Sequence, residues 1–201
     1  MDLQTIISAG TGIGAIIAGS IIVLYGHIKS NIKKRKRDPL YCLNDDILIQ
    51  DALTELRVKL GADRVYITRF HNGGEYFDGT AIKKISRTHE SCKRGCSHEL
   101  LGFQNVPTSL VTEIISMLEE SNRTNNVSFK KVEQIESGFL KNHLINVEAR
   151  FIIKYRLKVR MNLFGYLGVQ YSKEDVNITD DIKNDIIKTA GIIENIFISK
   201  K

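Results

Sequence analysis

Apolar and polar positions along this chain fall into blocks of different period. Leu3 to Ile28 contains no Asp, Glu, Lys or Arg and includes Ile6, Ile7, Ile13, Ile16, Ile17, Ile21, Ile22, Val23 and Leu24. An uninterrupted apolar run of that length spans the roughly 30 Å hydrocarbon core of a bilayer as a tilted helix. Helix is the required form, because lipid offers no partner to unpaired backbone groups. Asp38-Pro39 then breaks the helix. A helical period resumes from Asp45 to Leu60, with Ile49, Leu53, Leu56 and Leu60 on one face and Gly61 behind them. Val65–Phe70 and Thr80–Arg87 read as strands, a helix begins near Pro107, and Val127–Val132 is a short strand. Next comes an alternation of Val147, Ala149, Phe151, Ile153, Tyr155, Leu157 and Val159 with Glu148, Arg150, Ile152, Lys154, Arg156, Lys158 and Arg160. It predicts a strand with one buried and one solvated face. A turn at Met161-Asn162 leads to a partner strand, Leu163–Ser172. Thr179 then caps a last helix whose inner face is Ile182, Ile186, Ala190, Ile193 and Phe197.

Three segments follow: a membrane-spanning helix over 1–28, a basic juxtamembrane linker over 29–44, and a domain over 45–201. The element order predicts an α+β fold. Its antiparallel sheet has one face covered by the first and last helices of the domain and the other crossed by loops.

Charge sharpens the picture once it is split by position. The chain carries 29 basic and 23 acidic residues, a formal +6. Six of the basic residues, Lys29, Lys33, Lys34, Arg35, Lys36 and Arg37, directly follow the apolar run. The remainder is close to neutral, which argues against nucleic acid as a partner. A cleaved signal peptide carries its positive charge ahead of the apolar run, the reverse of this order. The positive-inside rule places the domain on the cytoplasmic side of a single-pass inner-membrane protein, with the basic run on anionic headgroups. Gly10, Gly14 and Ala18 recur every four residues and open a face for helix association, hence homo-oligomers. Three cysteines, a small and odd number, exclude a disulfide scaffold.

Candidate chemistry is sparse. His71-Asn72-Gly73-Gly74 sits where a strand leaves the sheet, either as a turn with polar caps or as backbone open to a ligand. His89, Cys92, Cys96 and His98 are metal-ligand types at a spacing unlike a zinc finger, so no metal site is assigned, and free thiols or a redox pair remain open. Arg150, Lys154, Arg156, Lys158 and Arg160 read as a solvated strand face or as a contact for anionic headgroups or an acidic partner. No Walker loop, nucleophile elbow or His-Glu-x-x-His helix is present, so a binding protein is expected rather than an enzyme, with its cofactor unknown.

The order of elements, with the hairpin ending in Phe164-Gly165-Tyr166-Leu167-Gly168-Val169-Gln170-Tyr171, resembles the GAF/PAS-type sensor fold. Ala62 to Gly74, Ser86-Arg87-Thr88-His89-Glu90 and Gln104-Asn105-Val106-Pro107 resemble more narrowly the GAF-like proteins of tailed bacteriophages. The resemblance implies a sensor that binds a small molecule or protein partner near His71, Asn72, Gly73, Gly74, Thr88, His89, Glu90 and Asn105. Its architecture is also similar to the large single-span holins of T-even phages, in which the span oligomerises and the soluble domain times lysis. Those place the domain in the periplasm, against the direction set by Lys33–Arg37.

Overall fold

This structure, a computed structural model, describes residues 43–199. The apolar run predicted to span a membrane, the basic cluster and Gly10, Gly14 and Ala18 lie outside the described residues, among which no helix is long and apolar enough to cross a membrane. The chain forms helix α1 (Leu43–Leu60), strands β1 (Arg64–Glu75), β2 (Ala81–Cys92) and β3 (Val106–Pro107), and a 3-10 turn (Thr108–Leu110). Helix α2 (Thr112–Thr124), strand β4 (Ser128–Lys131) and helix α3 (Phe139–Asn146) follow. Strands β5 (Phe151–Val159) and β6 (Asn162–Tyr171) and helix α4 (Asp180–Ser199) complete the domain. Six strands make one sheet in the order β3-β2-β1-β6-β5-β4, every pairing antiparallel.

Helices α1 and α4 cover one face, as the periodicity predicts. Ile49, Leu53 and Leu56 from α1 and Ile186, Ala190, Ile193 and Phe197 from α4 are buried. They meet Val65, Ile67, Ile153, Leu157, Leu167 and Val169 of the sheet in one apolar cluster. Lys59 Nζ pairs with Asp185 at 2.5 Å and ties the two helices together at the surface. The second face carries its own cluster, in which Ile114, Met117 and Leu118 of α2 and Leu140 and Leu144 of α3 pack on Tyr66, Ile85, Ile152 and Tyr166. Two helices as well as loops therefore cover this face. Helix α3 was not predicted, because an eight-residue segment holds barely two turns of period to detect.

Two predicted boundaries shift, and one predicted face changes character. His71–Gly74 does not end β1, which continues to Glu75. Residues 70–75 pair only with β2, whereas the β1–β6 ladder stops at Arg69–Gly165. The hairpin thus projects past the sheet as an arm that turns at Tyr76–Thr80, with Phe77 fully exposed. Val147–Arg150 is not strand, since Val147 closes α3 and Glu148 takes φ 58° before β5 begins. The predicted wet face of β5 is dry along most of the strand: Ile152, Lys154 and Arg156 are buried alongside Phe151, Ile153, Tyr155 and Leu157, Lys158 is half-buried, and Arg150 and Arg160, just outside the strand, are exposed as predicted. Strand β6 makes room for large neighbours with glycine. A Cβ at Gly168 would collide with the ring of Tyr66, and one at Gly165 with the carbonyl of Thr68 on β1.

Candidate functional site

Strand β2 sets the geometry of the α2/α3 face through one irregularity. The β1–β2 register pairs Ile67 with His89 and Thr68 with Arg87, so Thr88 is an extra, bulged residue. Residues three apart in a regular strand point to opposite faces. The bulge brings Arg87 and Glu90 to the same one. Glu90 Oε1 then lies 2.8 Å from Arg87 Nη1 and 3.0 Å from Arg64 Nε, while Oε2 accepts the backbone N–H groups of Glu99 (2.8 Å) and Leu100 (3.0 Å). Arg64 is 1% exposed and reaches across β1 to Gln170 Oε1 at 2.5 Å and to the Ser97 carbonyl. Arg87 continues to Glu99 at 3.4 Å, and Glu99 meets His143 Nε2 of α3 at 2.7 Å. Burial by itself raises the Glu99 carboxyl, but His143 and Arg87 hold it below its ordinary value.

Strand β5 contributes two further buried cations. Lys154 is 1% exposed, contacts the Tyr66 hydroxyl, and sits 4.7 Å and 5.1 Å from the ring centroids of Tyr66 and Tyr166. Arg87 also lies over the Tyr66 ring, 3.8 Å from its centroid. Burial depresses the Lys154 ammonium, with Tyr66 opposing that shift. Burial would raise Tyr66, yet Lys154, Arg87 and Arg64 together hold it below its usual value. Gln170 supports this state, because its oxygen accepts from Arg64 and its nitrogen therefore donates to the Tyr66 oxygen at 3.2 Å. Arg156 caps α2, donating to Ser121 O at 3.3 Å and to Asn125 Oδ1 at 2.5 Å.

The sequence-predicted residues separate into two places. Tyr66 pairs with Glu90 and His71 with Lys84, five residues further along β1, or about 17 Å at strand rise. His71 Nε2 lies 2.8 Å from Ser86 Oγ, which also accepts Asn105 N–H at 2.9 Å, so His71 and Asn105 are brought together by Ser86. Asn72 Oδ1 accepts from Lys83 Nζ at 3.2 Å. Gly73 lies against the side chain of Lys84, and Gly74 takes φ 113° in the arm. Thr88 occupies the bulge. His89 turns to the α1 side, 3.4 Å from Asp46 Oδ1, away from Glu90 and from Cys92, Cys96 and His98. Burial pushes the Cys92 thiol up to about 11.

A cavity opens at each end of this face. At the arm end, one of about 440 Å³ lies between the sheet and α2, with apolar walls from Phe70, Ile115, Leu118, Met161 and Leu163. Lys83, Lys158 and Glu119 stand around it. Asn72 thus holds a cation of this cavity in place. At the opposite end, one of about 380 Å³ is lined by Arg64, Cys96, Ser97, Gln170 and neighbouring polar residues. Sequence reading missed Lys83, Lys158 and α2 as a shared site because they meet only through β2–β1–β6–β5 order. The one signal for the dry face of β5 was Ile152, an apolar residue among the predicted wet positions.

No family model and no curated protein matches the sequence. Solved structures do match in fold. The blue-light absorbing form of the Thermosynechococcus elongatus PixJ GAF domain superposes with a TM-score of 0.59 at 12% identity, covering 82% of this chain and 93% of that one. The phycocyanobilin-bound GAF domain of a cyanobacterial phytochrome gives 0.58 at 17% identity, covering 85% and 96%. A phycoerythrobilin-bound GAF domain, also from a cyanobacterial phytochrome, gives 0.58 at 14%, covering 86% and 95%. Arrived at from its own strand order and helix layers, the domain has a GAF-like α+β fold.

Proposed function

We propose that this chain is a membrane-tethered binding module, probing the cytoplasm for an amphipathic, anionic small molecule that seats in the cavity between the sheet and α2. The carrying observation is that cavity: about 440 Å³, walled by Phe70, Ile115, Leu118 and Leu163, with Lys83 and Lys158 beside it. A concave, mainly apolar site with a few convergent polar groups is the usual form of a small-molecule pocket. The GAF domains it resembles in fold include bilin-bound ones, which supports a sensory role. The tether rests on the apolar run of residues 3–28 and the basic residues behind it.

Decanoate is a suitable probe for the full-length chain in detergent micelles, with decanol as the uncharged comparison. Ile115→Trp, which fills the cavity, is expected to weaken both at least tenfold. Lys83→Gln with Lys158→Gln is expected to weaken decanoate only. Binding indifferent to Ile115→Trp would overturn the site. A holin reading shares the span and its Gly10-Gly14-Ala18 face, and topology separates the two. A reporter at Lys201 reads cytoplasmic for the sensor and periplasmic for the holin.

A further inference from the structure

We propose that Cys92 and Cys96 are a redox-active thiol pair that a hydroperoxide closes into a disulfide, with Cys96 as the attacking sulfur and Cys92 as the resolving one. Spacing alone leaves the two open between inert thiols and a redox pair, and the fold adds a cation that both share. Cys92 is the cross-strand partner of Arg64 at the end of β2. The chain then turns back over the exposed residues 93–95, with Cys96 N–H donating to the Lys93 carbonyl at 3.0 Å and Gly95 at φ 88°. Arg64 Nη2 thereby lies 3.3 Å from Cys96 Sγ and donates to the Ser97 carbonyl, which also accepts the Cys92 S–H at 3.8 Å. The same guanidinium bonds the Cys92 sulfur. Both thiols are free and half-buried. A turn brings its first and last Cα within about 7 Å, and Cys92 directly precedes the first. Adjusting to the roughly 4.4–6.8 Å that a disulfide spans therefore falls to three exposed turn residues.

The two sulfurs are not equivalent. Cys96 lines the cavity of about 380 Å³ at this end of the face, where a small oxidant can enter, and Arg64 gives its thiolate a counter-charge. Cys92 is not among the residues of that wall, and burial keeps it a thiol. In the first step the Cys96 thiolate attacks one peroxide oxygen. An S–O bond forms, the O–O bond breaks, and the departing oxygen takes up the proton that Cys96 released. Cys96 becomes a sulfenic acid, having given two electrons to the peroxide. The Cys92 sulfur then attacks the Cys96 sulfur. The S–S bond forms, the S–O bond breaks, and hydroxide leaves as water with the Cys92 proton. Two thiols and one hydroperoxide thus yield a disulfide, an alcohol and a water; with hydrogen peroxide both oxygens leave as water.

Hydrogen peroxide added to the full-length reduced chain in detergent, followed by trypsin without reductant, tests the pair. Cleavage at Arg87, Lys93, Arg94 and Arg123 places the two cysteines in separate peptides, 88–93 and 95–123. These are expected to appear joined, with the loss of two hydrogens, and to separate again with dithiothreitol, a readout that needs no variant. Cys92→Ser is expected to leave Cys96 as a sulfenic acid that dimedone labels. Cys96→Ser is expected to slow peroxide consumption at least tenfold and to leave Cys92 unlabelled. Cys42→Ser is expected to change the yield of the joined peptide less than twofold. Peptides that stay separate under excess peroxide, a disulfide from Cys42 to either residue, or dimedone on Cys92 in Cys96→Ser would each overturn the proposal.

Discussion

The two faces of the sheet are built from alternate residues of the same strands and are closed by opposite means. Toward α1 and α4, β5 presents Phe151, Ile153, Tyr155 and Leu157 to an apolar cluster. Toward α2 and α3 it presents Ile152, Lys154 and Arg156, and β1 and β2 add Arg64, Arg87 and Glu90, all buried. Apolar contacts are non-directional, so the first face tolerates modest rearrangement. Buried ions are different, because each must be matched in direction and charge or its desolvation goes uncompensated. The second face therefore specifies particular neighbours, and the two cavities described above lie along it.

The largest effect is expected on the ionic face. Glu90→Gln leaves Arg64 and Arg87 facing a neutral amide and should cost about 3–5 kcal/mol, the range for breaking a buried pair by removing one partner. Urea denaturation of the full-length chain in detergent measures it, and a loss below 1 kcal/mol would mean that the ions do not organise this face. On the apolar face, Leu53→Ala should cost about 2–5 kcal/mol through lost burial and the cavity left behind.

The Tyr66–Lys154 pair offers a sharper contrast. Tyr66→Phe alone strands a buried ammonium and should cost about 1–3 kcal/mol. Adding Lys154→Met should recover most of that loss, since replacing a buried polar pair by packed apolar groups is often neutral or stabilising. Strictly additive losses would contradict this account.

The smallest effect is spectroscopic. Tyr171, among the apolar residues, has its hydroxyl pushed up to about 12 by burial, while Tyr66 is held below 10 despite its burial, by Lys154 and Arg87. In an alkaline absorbance titration, Tyr66→Phe should remove an early phenolate component and Tyr171→Phe a late one. The linked stabilities have opposite signs. Below pH 10 the folded state binds fewer protons at Tyr66 than the unfolded state does, so stability rises with pH there. Between pH 10 and about 12 it binds more at Tyr171, so stability falls.

Much of the fold was legible locally. Ile49, Leu53 and Leu56 and, in α4, Ile186, Ala190, Ile193 and Phe197 reveal their face by period alone, because a helix buries one stripe. Strand β5 reveals its apolar side in the same way. The candidate site was only partly legible. His71, Asn72 and Asn105 do gather at the arm end, but directly with Ser86 and Lys83 and not with Glu90. The residues that wall the cavity come from β1, β2, α2, β5 and β6, and no spacing in the chain joins them.

By itself the sequence determined most element types, α3 excepted, together with the α1/α4 core and the order of apolar run, basic cluster and remainder, since each follows from residues close together in the chain. Only the tertiary structure decided that Lys154 and Arg156 go inside, that Thr88 bulges, and that Glu90 rather than His89 meets Arg64 and Arg87. The reason is physical. Period reports whether a side chain prefers water, whereas the location of a buried charge depends on partners supplied by distant strands, and a single bulged residue exchanges which neighbours share a face.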